Sequence, residues 1–204
     1  YAWAKLYRKS FLDSNKIEFG DYRYAEDKIY NYFCYIAGAR YAFIDKKIYV
    51  YRRNEQSVSN TYRKDGDKDW MRIAQDLQDK IDSLNYEKKQ YSQDEIENYE
   101  SIVAWTIYFA AFFDGKMEYE YSTGKIRAVI NLLKRYASYD LTKKYLKNPL
   151  RYTKKIPALS YKIMLGGFAF LMKCNMYLLL SLGIKLLVDC HIDERLSDTG
   201  RKED

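Results

Sequence analysis

The chain has 204 residues, 48% of them apolar, which suits one domain or one and a half and excludes a mainly disordered chain. Its 35 Lys and Arg against 28 Asp and Glu leave a net charge of +7, too mild to mark a nucleic-acid binder by charge alone. One histidine (His191, in a polar tail) and three scattered cysteines (Cys34, Cys174, Cys190) exclude a C-x-x-C zinc pair and leave a Ser or Cys triad only His191 to use. Isolated thiols point to a reducing, cytoplasmic compartment. Tyrosine is in excess, at 23 residues. The first residue is Tyr1 and no signal peptide is legible, so the sequence is expected to be a piece of a longer protein.

Taken in order, Ala4 to Asp13 reads as a short helix with Leu6, Phe11 and Leu12 as buried positions. A second helix begins near Glu26-Asp27, its apolar residues Ile29, Phe33, Ile36 and Ala37 forming one stripe. Gly38 stands where a helix C-terminal glycine belongs. The period then changes. Tyr41–Ile44 and Ile48–Tyr51, split by Asp45-Lys46-Lys47, read as a short β-hairpin. Beyond Arg53 the pattern is helical. Trp70, Ile73, Leu77, Ile81 and Leu84 mark one amphipathic helix, and Ser92 with Glu95 makes a capping box for the next. The uncharged run Ile102–Phe113 within that helix is too short to cross a bilayer, which takes roughly 20 residues, and reads as buried on most sides.

The last third is distinct. From Leu141 to Val188 there are nine Lys or Arg and no Asp or Glu. Six cations come first (Lys143, Lys144, Lys147, Arg151, Lys154, Lys155), then an apolar stretch, Ile163 to Val188, whose uncharged runs are again too short to span. Three readings stand: a helical subdomain with a solvated basic face, attachment to an anionic membrane surface, or nucleic-acid binding. No RNA-binding signature accompanies the basic residues, so nucleic acid is not the expected partner.

Glu26-Asp27 is an acidic pair at the start of a strongly apolar helix. An Asp there is either an N-cap or a general base toward a sugar hydroxyl. Asp65-Gly66-Asp67 and Asp67-Lys68-Asp69 follow no apolar strand, and Trp70 takes the place of an EF-hand glycine. They read as a loop and N-cap.

Around the acidic pair runs an ordered series: W-x-K-L-Y-R at Trp3–Arg8, I-x-F at Ile17–Phe19, E-D at Glu26-Asp27, Y-x-Y-R at Tyr49–Arg52 and S-x-S at Ser57–Ser59. Over about residues 1–62 this resembles the second half of the catalytic domain of family 2 glycosyltransferases, bacterial GT-A enzymes that build capsule, O-antigen and cell-wall polysaccharides. The resemblance implies an α+β, mostly α-helical chain: the incomplete C-terminal half of a GT-A α/β domain with its hairpin (1–62), then a helical extension (63–204). It implies inverting sugar transfer from a nucleotide-diphosphate sugar to a glycan or lipid-linked acceptor. Asp27 would be the general base and Glu26 its neighbour; Trp3 and Lys5 would line the acceptor side. Arg52, Arg53 and Ser57 would close on the donor diphosphate. A Mg or Mn ion is expected in the full-length enzyme, and none on this chain alone. The expected place is the inner face of the cell membrane, held peripherally by the basic tail. The alternative is a non-catalytic helical module for membrane-surface or protein interaction.

Overall fold

The computed structural model describes residues 2, 4–23, 25–50, 61–86 and 91–190. Among them all regular structure is helical: α1 (Lys9–Ser14), α2 (Glu26–Ile36), α3 (Gly66–Tyr86), α4 (Gln93–Tyr121), α5 (Lys125–Ser138), α6 (Asp140–Leu146), α7 (Pro149–Thr153), α8 (Leu159–Lys173) and α9 (Tyr177–Asp189). The chain separates into two compact units, Tyr1–Thr61 with Arg72–Glu100 and Tyr62–Met71 with Ser101–Asp204.

The expected α+β architecture is corrected by this arrangement. Residues 41–50 form no strand, and no GT-A sheet exists among the described residues. Two short strands alone are marginal in water and persist only when a third strand or a helix covers one face. Here Phe43 and Val50, which would lie on opposite faces of the expected hairpin, are more than nine-tenths exposed, so neither side chain is covered. Asp45-Lys46-Lys47 also lacks the glycine that tight hairpin turns favour. The first helix is shorter than its sequence suggests, because Ala4 adopts a left-handed conformation and α1 begins only at Lys9.

In the first unit, α2 buries Ile29, Tyr30, Cys34 and Ile36. Phe11, Leu12 and the buried Ile17 pack on Tyr30, Cys34 and Ala37. Phe19 stacks on the Tyr30 ring at 4.1 Å. The end of α2 is a Schellman cap: Gly38, at φ +81°, donates to the Tyr35 carbonyl and Ala39 to that of Cys34. The same two-bond closure ends α1 at Lys16 and α8 at Asn175, neither a glycine. Arg72 and Asp76 of α3 hold the 21–22 turn: Arg72 donates to the Asp21 carbonyl at 2.6 Å, and the Tyr22 hydroxyl donates to Asp76 at 2.8 Å. The capping box forms as its sequence suggests, with the Ser92 and Glu95 side chains each taking the other's backbone N–H.

The second unit is built on α4. Val103, Ala104, Ile107, Tyr108, Ala110 and Ala111 are fully buried, which is the reading of the uncharged run. Helix α5 packs on α9 and α6, and α7 on α8. Two backbone carbonyls in this core are satisfied by aromatic donors. The Tyr108 hydroxyl donates to Tyr145 at 2.9 Å and the Trp105 ring N–H to Tyr152 at 3.0 Å. Such bonds let large aromatic side chains fill a core without stranding polar atoms. No helix among the described residues is long and apolar enough to cross a membrane.

Candidate functional site

The acidic pair lies in the first turn of α2. The N-cap is Ala25, in a left-handed conformation and without a side-chain cap bond, so neither acid serves as the cap. Glu26 is exposed and Asp27 half-buried, one residue further into the turn. Negative charge at that position is favoured by the free N–H groups and dipole of the helix start. Just behind it Asn31 donates to the Asp27 carbonyl at 2.6 Å and accepts a hydrogen bond from the Tyr7 hydroxyl at 3.1 Å. Tyr7 also meets the Tyr30 ring edge-on at 5.1 Å. Burial, then the neighbouring Cys34, pushes the Tyr7 hydroxyl up to about 12, so it stays a donor. The W-x-K-L-Y-R segment and the E-D helix, distant in sequence, are thus tied by one side chain. Lys5, on the same segment, is exposed. Trp3, Arg52, Arg53, Ser57 and His191 lie outside the described residues.

A second polar cluster, in the other unit, is built around Asp67 of the D-x-D-like run, and its other acids, Asp114 and Glu118, carry no motif in the sequence. Asp67, in the first turn of α3, is almost wholly buried. Arg135 of α5 grips it through Nη2 at 3.1 Å and Nε at 3.3 Å, and the Tyr139 hydroxyl donates to it at 3.0 Å. Arg135 also donates to the Lys64 carbonyl at 3.2 Å. On α4, Asp114 accepts from the Tyr136 hydroxyl at 2.5 Å and from the Trp70 side chain. One turn on, Glu118 accepts from Tyr62 at 2.9 Å. Burial pushes the Asp114 carboxyl up to about 7; the Tyr136 bond opposes this and the Asp67 charge adds to it. Gly66 is part of the design, since a Cβ there would stand 3.1 Å from the Asp114 carboxylate. A signal for Asp114 existed: it continues the buried stripe of Val103, Ile107 and Ala111 at helical spacing, where a carboxylate needs partners.

This cluster disposes of the D-x-D-like run. Asp67 is turned inward onto Arg135, and Asp65 pairs with Lys68 at 3.5 Å. A cation bound by paired carboxylates would have to displace Arg135, so these residues do not fit Mg or Mn. Among the described residues no group of three or more His, Cys, Asp or Glu is arranged to hold a metal ion.

The six tail cations are carried by α6, α7 and the links after them. Lys143 is paired with Asp140 at 2.8 Å. Lys144 lies over the Tyr145 ring and Arg151 over the Tyr152 ring, at 5.2 and 5.7 Å. Lys147 and Lys154 are exposed and Lys155 is half-buried. The apolar stretch that follows buries only one side of each helix: Leu165, Phe168, Ala169 and Met172 on α8, Leu180 and Ile184 on α9.

Set against protein families, curated proteins and solved structures, the chain matches none of them.

Proposed function

We propose that the chain supplies the acceptor side of a nucleotide-sugar-dependent glycosyltransferase, with Asp27 as the base that takes the proton from the acceptor hydroxyl. The observation that carries this is the placement of Glu26-Asp27 in the opening turn of α2, tied through Asn31 to Tyr7 of the W-x-K-L-Y-R segment. Two elements of the ordered motif series therefore meet at the backbone of Asp27, whose side chain is half-buried. A base must lie within hydrogen-bond reach of the proton that it removes, which requires a carboxylate open to a ligand, as Asp27 is and Asp67 is not. Lys5 and Trp3 would orient the glycan or lipid-linked acceptor, and Arg52, Arg53 and Ser57 the donor diphosphate. Any Mg or Mn required by the donor is assigned to residues other than the Asp65–Asp69 run. The site of action is the inner face of the cell membrane, where the basic tail meets anionic lipid.

The test is Asp27→Asn in the full-length protein, assayed for transfer from UDP- and GDP-sugars. Turnover should fall by roughly two to four orders of magnitude. The helix should survive, because Asp27 is neither cap nor core. Activity within a factor of about three of the unaltered protein would remove Asp27 from the reaction.

A further inference from the structure

The apolar residues of α8 and α9 divide into two sets. One set is buried against the rest of the unit. The other forms an outward stripe on each helix: Leu159, Ile163 and Phe170 on α8, and Leu178, Leu182 and Leu186 on α9, all between 46% and 68% exposed. At 3.6 residues per turn each set of three falls on one side of its helix. Two adjoining helices with apolar outer faces are more than the scattered exposed leucines of an ordinary surface. The α8–α9 turn, closed by Asn175 at φ +57°, keeps the two helices in contact.

Charge selects the occupant. No Asp or Glu occurs from Leu141 to Val188, whereas nine Lys or Arg do. Helical spacing puts Lys162 and Lys173 along one edge of the α8 stripe, whereas Lys185 beside the α9 stripe is paired with Asp189 at the end of that helix. An apolar face bordered by cations matches the boundary between acyl chains and anionic headgroups. A second copy of this chain would instead bring two basic rims together, which like charge opposes.

We propose that the outward faces of α8 and α9 are the membrane-docking surface, the leucines and Phe170 entering the acyl boundary of an anionic leaflet while Lys173 and Lys147, adjacent through the bond from Lys173 to the Lys147 carbonyl, meet phosphates. The proposal rests on the reading that the protein works at an anionic membrane surface, and it assigns the apolar half of that contact.

The test uses the full chain and two kinds of vesicle, phosphatidylcholine alone and phosphatidylcholine with about one-third phosphatidylglycerol. The chain should bind the second kind, and a fraction should stay bound at high salt, where screening removes the electrostatic part. Leu178→Ser, Leu182→Ser and Leu186→Ser together should remove that salt-resistant fraction, weakening binding by about tenfold or more. A Leu182→Trp variant should be quenched by brominated acyl chains beyond the level of the unaltered chain. Replacing Lys143, Lys144, Lys147, Lys154 and Lys155 by Gln probes the other half, removing the low-salt binding. Loss on lysine replacement with no effect of the serines and no added quenching would overturn the insertion and leave a purely electrostatic attachment. Absence of binding by the unaltered chain would overturn both readings. A stable dimer in sedimentation that the serine variant dissociates would make a second copy the occupant and overturn the proposal.

Discussion

Asp114→Asn should make the protein more stable, by an amount that grows with pH. Asp114 is pushed up to about 7 from an ordinary 3.8, chiefly by burial. Between those values the folded protein holds a proton that the unfolded chain has released, so stability falls as pH rises through the window and levels off above about 7. A shift of about three units corresponds to about 4 kcal/mol at most. The residue is only half-buried by surface area, and water reaching it reduces this to about 2–3 kcal/mol. Asparagine keeps an oxygen for the Tyr136 and Trp70 donors and carries no charge to desolvate, so it escapes this loss. Thermal melts followed by circular dichroism should show the variant gaining on the unaltered protein from pH 5 to pH 8, reaching about 5–10 °C at the upper end. A constant gap between the two, or a variant that melts lower throughout, would refute the reasoning. Asp114 would then be a carboxylate that its Tyr136 and Trp70 donors favour.

Removing the partner of a buried charge should act in the opposite sense. Arg135→Met leaves Asp67 enclosed without its cation, beside the Tyr139 hydroxyl, and should cost about 3 kcal/mol, read as a lower denaturant midpoint at unchanged slope. Asp67→Asn with Arg135→Met should recover part of it, since both charges are gone. In the core, Tyr108→Phe removes the donor to the Tyr145 carbonyl and should cost about 1 kcal/mol in the same assay, with helix content unchanged.

Helices were legible wherever apolar spacing was strong. The α2 stripe, the α3 stripe, the capping box at Ser92 and the burial of Ile102–Phe113 all follow from period and capping chemistry, which act locally. Gly38 was legible as a cap because glycine takes positive φ at little cost, whereas the equivalent caps at Lys16 and Asn175 were not. The hairpin reading failed for a non-local reason: Tyr41–Ile44 and Ile48–Tyr51 have strand composition, but composition supplies no neighbouring strand or covering helix. The acidic pair was found from its place in a motif series. Its exact station was not, since only the backbone shows that Ala25 is the cap. The Asp65–Asp69 run reads as a loop and N-cap because no apolar strand precedes it, which leaves the burial of Asp67 unseen. Its partner, Arg135, lies far along the sequence and is reached only by packing α5 on the start of α3.

The tyrosine excess has a structural use that bears on alkaline stability. Hydroxyls of Tyr22, Tyr62, Tyr136 and Tyr139 donate to Asp76, Glu118, Asp114 and Asp67. Phenols thus share in satisfying these carboxylates, at Asp67 alongside Arg135. A donor of this kind works only while protonated. Burial first, and the bonded carboxylate second, push Tyr22, Tyr62 and Tyr139 up from 10.0 to about 12. In the unfolded chain each loses its proton near 10. The stability that these three contribute is therefore whole below pH 10 and is lost as pH rises through 12, the folded form holding protons that the unfolded form has released. Helix signal and tyrosinate absorbance, followed together in an alkaline titration, should show a delayed part of the absorbance rising in step with the loss of helix within that window, because the delayed tyrosines ionise only when the fold opens. Replacing the three by Phe removes the protons concerned. The variant should be less stable at neutral pH, lacking the hydrogen bonds, yet lose less stability between pH 10 and 12. A smooth tyrosinate titration centred near 10 with helix intact would mean that the phenols ionise in the folded protein, and that their carboxylate partners are held by something other than these bonds.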